Sequence, residues 1–173
     1  MITIANTGKV VGRRTFFSLP FSPTNSLQTY NVTKIIHTKN SHIYEVVSNV
    51  DKYKEFIPFV EDSYVNQRDE KNIPTEGGID VGWQQFNEKL VCKLTCTPGK
   101  QVIAQSLPTS IFDKLYTEWN FIPMNENMTK VNLNLQFNFK NPLYNSMSSM
   151  FSEQLTSIMI KAFEDRVHSL YKK

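Results

Sequence analysis

The clearest pattern in the chain is the alternation of KVNLNLQFNFK, residues 130–140. Val131, Leu133, Leu135, Phe137 and Phe139 fall on one face of a strand; Asn132, Asn134, Gln136 and Asn138 fall on the other. A period of two with one dry and one wet face predicts a strand of an antiparallel sheet. LVCKLTC repeats the pattern with Leu90, Cys92, Leu94 and Cys96. Further strands are predicted at 29–38, 62–69, 77–87, 88–97, 101–107, 114–123 and 128–139, separated by the turn chemistry of RDEKNIPTEGG, TPGK and MNENM. Between the first strand and the rest, NSHIYEVVSNVDKYKEFI has helical spacing. Asn40 or Ser41 is the expected cap, Ile43, Val46 and Val47 form the apolar face, and Asp51 opens a second short turn. Pro58 ends that turn, because it cannot continue the hydrogen-bond ladder.

From Asn141 the period changes. Pro142 suits a first helical position, and Leu143, Met147, Met150, Phe151, Leu155, Ile158, Met159, Ala162 and Phe163 follow helical spacing. A helix of nearly thirty residues spans about 40–45 Å, enough to cross a whole sheet. The expected fold is α+β: one curved antiparallel sheet of six or seven strands gripping a long C-terminal helix, with two short helices after the first strand closing one end.

The chain has 173 residues, 40% hydrophobic and 20% charged, which suits one ordered domain with a real core. The first acidic residue is Glu45. The basic, hydroxyl-rich segment before the first strand has the composition of a mitochondrial transit peptide, expected over residues 1–28, with the domain over 29–173. Removing Lys9, Arg13 and Arg14 takes Lys+Arg from 19 to 16, equal to the 16 Asp+Glu. The basic excess belongs to the leader, so no nucleic-acid surface is expected. Cys92 and Cys96 read as small apolar side chains rather than a metal pair. His37, His42 and His168 form no metal pair at helical spacing with a carboxylate; the spacing of His37 and His42 crosses the end of a predicted strand, and a surface role is expected. Glu118, beside Trp119, alternates outward. No catalytic set, metal site or catalytic cofactor is expected.

Three segments, VSNVDKYKEFIPFVEDSYV (47–65), KLYTEWNFIP (114–123) and VNLNLQFNFKNPLYNSMSSMFSEQLTSIMIKAFEDR (131–166), resemble those of the mitochondrial coenzyme Q-binding proteins of the START-like, polyketide cyclase/dehydrase superfamily. The resemblance implies a helix-grip fold with an apolar tunnel between sheet and helix. It implies ubiquinone, or a related polyprenyl quinone, as bound ligand. The implied role is a non-enzymatic lipid chaperone at the matrix side of the inner mitochondrial membrane, in peripheral contact with it, serving respiration and coenzyme Q synthesis, with the biosynthetic complex a further partner. Tyr53, Phe56, Ile57, Pro58 and Phe59 are expected as an apolar lid. Trp119, Phe121, Leu135 and Phe137 are expected as sheet wall, and Met147, Met150, Phe151 and Leu155 as helix wall; any one can instead be plain core. The competing readings are general lipid transfer, a polyketide cyclase-like enzyme, and an interaction module.

Overall fold

The structure is a computed structural model that describes residues 27–83, 86–109, 112–140 and 142–171, without the side chains of 83, 86 and 142–155. The expected leader therefore falls almost entirely outside the described residues, and the side chains of Met147, Met150, Phe151 and Leu155 fall outside them too.

Seven strands form one antiparallel sheet: β1 Gln28–Ile36, β2 Val60–Arg68, β3 Pro74–Trp83, β4 Phe86–Thr97, β5 Gln101–Ser106, β6 Phe112–Asn125 and β7 Met128–Phe139. Their spatial order is β1-β7-β6-β5-β4-β3-β2. Every connection after β2 is thus a hairpin between neighbours. The one long excursion, between β1 and β2, carries α1 (Asn40–Ser48) and a 3-10 helix (Val50–Glu55). The chain then reverses after β7 into α2, Pro142–Tyr171, a helix of 30 residues and about 45 Å.

The expected caps are not what start these helices. Lys39 is the N-cap of α1 and makes no side-chain cap bond. The Asn40 amide instead donates to the Gly99 carbonyl at 2.5 Å, tying the helix start to the β4–β5 turn. A tertiary bond has replaced the local one. Asp51 likewise makes no cap bond to its 3-10 helix. Gly99 has φ +67, a value that favours glycine, and its turn is closed by the Lys100 amide on the Thr97 carbonyl at 2.9 Å.

The alternation of β7 is realised along its length. Val131, Leu133, Leu135 and Phe137 are buried, and Phe139 is half-buried. The main core is built where α1 and the C-terminal half of α2 meet the sheet: Ile36, Ile43, Val46, Val47, Val102, Trp119, Phe121, Val131, Leu133, Ile160, Phe163 and Val167. Phe163 is its hub. Its ring stands edge-on to Trp119, Tyr53 and Phe56, with centroids at 4.7, 5.1 and 5.2 Å. Such ring pairs add about 0.5–1.5 kcal/mol each beyond area burial.

Candidate functional site: a concave sheet face with two characters

Antiparallel register puts directly opposed residues on the same face. One cross-strand row on the concave face runs Cys96, Val102, Trp119, Leu133, Val32. This row is bulky, and Phe163 fills the space above it. The next row runs Leu94, Ala104, Thr117, Leu135, Tyr30. The row beyond contains Val65, Gly77, Cys92 and Ser106. In these two rows the central positions carry small side chains: Gly77, Cys92, Ala104, Ser106 and Thr117.

Their burial differs in the same way. Trp119, Leu133 and Val102 are no more than 3% exposed. Cys92, Ala104, Ser106 and Thr117 are only half-buried, although all four lie on the inner face of interior strands. Around them stand the buried side chains of Leu90, Leu94, Leu135 and Phe137. A second aromatic group closes the β1–β7–β6 end. Tyr30 stacks on Phe137 at 5.8 Å, and Phe112 lies against Phe137 and Phe139 at 6.3 and 4.7 Å. The chain leaves this end of the sheet after Phe139 and enters α2 at Pro142. The concave face is therefore solid at one end and lined by small and apolar groups at the other. Gly77 cannot be enlarged, since an added Cβ would lie 2.7 Å from the Tyr64 carbonyl oxygen.

The residues named from sequence divide between these zones. Trp119 and Phe121 lie in the packed core, Trp119 against Phe163 and Phe121 edge-on to Tyr44 at 6.0 Å. Leu135 and Phe137 lie in the small-residue zone. Tyr53, Phe56 and Ile57 are half-buried and pack on the core. The Tyr53 hydroxyl donates to the Val47 carbonyl. Burial pushes that phenol far up, with the Cys96 thiol adding to the shift. Pro58 and Phe59 project from this anchored base and are exposed, Phe59 at 45%. Phe59 has φ 67, a conformation costly for a bulky side chain. Its carbonyl accepts the Gly82 amide at 3.0 Å, which holds the tip against β3. The segment is clamped to α2 as well: Arg166 pairs with Glu55 and lies 5.4 Å over the Phe56 ring.

The chemistry of the concave face is apolar. Burial pushes both thiols, Cys92 and Cys96, up to about 11, so neither is a thiolate near neutral pH. Glu118 is on the convex face, where it accepts from Asn120, Gln101 and the Tyr116 hydroxyl. The Asn120 hydrogen bond is the main reason its carboxyl is held below the usual range. Among the described residues no three His, Cys, Asp or Glu are grouped to hold a metal ion. A groove of about 480 Å³ runs along α2 beside Phe56 and Pro58, but Glu55, Lys161, Asp165 and Arg166 line it. Those charges suit water better than a hydrocarbon chain.

Sequence reasoning did not find Gly77, Ala104, Ser106 or Thr117, nor the role of Phe163. Only the register of four strands, β3 to β6, groups the first four, and no local signal marks them.

Residues 36–164 match the family described as polyketide cyclase / dehydrase and lipid transport. The coenzyme Q-binding protein COQ10, mitochondrial, of Eremothecium gossypii is 41% identical over 174 aligned positions, covering 96% of this chain and 85% of that protein. A START superfamily protein from Mycobacterium smegmatis superposes with a TM-score of 0.74 at 18% identity, over 82% of this chain and 98% of the other. The Zhui aromatase/cyclase of a Streptomyces species superposes at 0.72 with 12% identity, over 83% and 94%. At such identities these two likenesses speak to the fold, whereas the first relative speaks to the lineage. With its helix-grip sheet and its match to that relative over nearly the whole chain, the chain belongs to the polyketide cyclase/dehydrase and lipid transport family, in its mitochondrial coenzyme Q-binding branch.

Proposed function

We propose that this protein binds ubiquinone and carries it as a lipid chaperone, without chemistry on the quinone. The observation that carries the reading is the 41% identity, over nearly the whole chain, to a relative named for coenzyme Q binding. The small-residue zone of the concave face supports it physically. Leu90, Leu94, Leu135 and Phe137 offer apolar wall, and Gly77, Cys92 and Ala104 leave depth for an isoprenoid chain. Each Å² of chain surface withdrawn from water contributes roughly 25 cal/mol. That term gives affinity for any polyprenyl tail. The hydroxyls of Ser106 and Thr117, on adjacent strands of the same zone, are the groups we assign to the quinone carbonyls, which accept hydrogen bonds.

In this reading Tyr53, Phe56 and Ile57 are the fixed base of the lid, and Pro58 and Phe59 are the part that meets the bilayer. Met147, Met150, Phe151 and Leu155, whose side chains lie outside the described residues, are the residues of α2 that we assign to the helix wall. Trp119 and Phe121 support the chamber from the core side. The relative's name places it in the mitochondrion. For this chain we propose the matrix side of the inner membrane, with peripheral contact and access to the coenzyme Q biosynthetic machinery. Among the described residues no helix is long and apolar enough to cross a membrane.

The test is mass spectrometry of an organic extract of the purified chain from a quinone-making host. Near-stoichiometric ubiquinone supports the proposal. Phospholipid alone would replace it with general lipid transfer, and an empty extract would leave only an interaction role. Turnover of a quinone precursor by the same preparation would instead make it an enzyme of the cyclase type.

A further inference from the structure

All three histidines of the chain, from three separate elements, line one pocket. His37 follows β1, His42 is on α1, and His168 is in the last turn of α2; Lys39, Asn127 and Tyr171 share the pocket with them. Its volume is about 190 Å³. That is room for a phosphate group with a few waters, each of which takes about 30 Å³.

The pocket is rich in donors. His42 is held by its stack on Tyr171, with centroids 3.8 Å apart and planes 7° from parallel. His168 sits in the last turn of α2. The first turn of α1, next to Lys39, has no acidic residue and no side-chain cap. Of the carboxylates close in sequence to the lining residues, Glu45 accepts from the Tyr171 hydroxyl, Asp165 pairs with Lys161, Glu164 pairs with Lys34, and Glu126 is exposed. Among the described residues these imidazoles are not grouped to hold a metal ion. One lysine and three histidines line the pocket and no carboxylate does, a donor set suited to an anion.

We propose that this pocket binds the phosphate group of an anionic ligand. Exposed apolar side chains at the same end of the molecule, Met124 on the β6–β7 hairpin and Leu170 on α2, are each 51% exposed. They suit a phosphate presented by a lipid surface. The inference does not rest on quinone binding.

The experiment uses the full chain and the double variant Lys39→Gln/His168→Gln, leaving the stacked His42 in place. Thermal unfolding and bound-lipid content check that the variant is intact; the single variants replace it if it is not. Glycerol phosphate is titrated while the imidazole NMR signals of His37, His42 and His168 are followed. In parallel, flotation is compared on phosphatidylcholine vesicles with and without phosphatidylglycerol. The proposal expects imidazole shifts that saturate, or flotation that rises with phosphatidylglycerol, and at least a tenfold weakening in the variant. Flotation alone identifies a lipid headgroup as the source; shifts with glycerol phosphate alone identify a soluble phosphate. Signals that do not move together with flotation equal on both vesicles would overturn the proposal, as would wild-type and variant proteins that respond alike.

Discussion

Phe163 on α2 meets Trp119 on β6 with ring centroids 4.7 Å apart, and the same ring carries Tyr53 and Phe56 on its other edges. One side chain thus joins the long helix, the centre of the sheet and the base of the Tyr53–Phe59 segment. Phe163→Ala should lower stability by about 3–5 kcal/mol, the usual cost of emptying a fully buried phenylalanine site. Thermal unfolding should show a fall on the order of 10 °C for a chain of this size. A change under about 1 kcal/mol would mean that the three-ring cluster does not organise the core.

Filling the small-residue zone should separate ligand binding from folding. Ala104→Phe projects a ring between Leu94 and Thr117 on the concave face. If the space is a chamber, unfolding changes by less than about 1 kcal/mol, below the usual cost of overpacking a filled core, and co-purified ubiquinone falls at least tenfold. Phe137→Lys, by contrast, should abolish both quinone content and stable folding, because it places a charge on a dry face. Normal quinone content in Ala104→Phe would move the ligand elsewhere.

Phe59 combines exposure with a positive φ. Phe59→Gly removes the steric cost of that backbone, on the order of 1 kcal/mol, partly offset by greater freedom of the unfolded chain. Stability should therefore hold or rise slightly. Transfer of ubiquinone between liposomes should slow, because the exposed ring is lost from the tip. A stability-neutral variant with unchanged transfer would remove the membrane-facing role of this segment.

The link from Arg166 to Glu55 and to the Phe56 ring is a clamp on that segment from outside the core. Arg166→Met keeps much of the side-chain volume and removes the charge. Amide hydrogen exchange should become faster over 50–59 and stay unchanged in β6 and β7. Uniform acceleration across the sheet would show that the contact supports the whole fold.

Burial raises the thiols of Cys92 and Cys96 from the ordinary 9.0 to about 11. The native state therefore holds protons that the unfolded chain releases. Their contribution is complete below about pH 9 and is lost as pH rises through about 11. Denaturant midpoints should fall across that window, and Cys92→Ala/Cys96→Ala should flatten the fall. Thiol reagents near neutral pH should react far faster with unfolded than with native protein.

Much of the fold was legible from periodicity alone. The alternation of residues 131–139 and the helical spacing after Pro142 are local signals, and both elements appear where the pattern puts them. Strand ends moved by a few residues, as β2 and β3 began earlier than their hydrophobic runs suggested. The expected cap of α1 is displaced by a tertiary contact: the Asn40 amide reaches the Gly99 carbonyl, 59 residues away. The site was legible only in part. Aromatic bulk drew attention to Trp119 and Phe121, yet that bulk fills the core. The depth of the concave face comes from small residues, which carry no hydrophobic signal.

By itself the sequence determined which segments are strands and helices and which face of each is dry, because side-chain direction follows from a period of two or 3.6. It also carried the lineage, through three motifs in order. Only the tertiary structure decided what stands beside what. Register across β3 to β6 gathers Gly77, Cys92, Ala104, Ser106 and Thr117 into one zone. The return of α2 across the sheet places Phe163 on Trp119 and brings His168 to His37 and His42. Phe163 and Trp119, like His168 and His42, are more than forty residues apart in the chain, and no local preference encodes a contact that exists only once the sheet has curled around its helix.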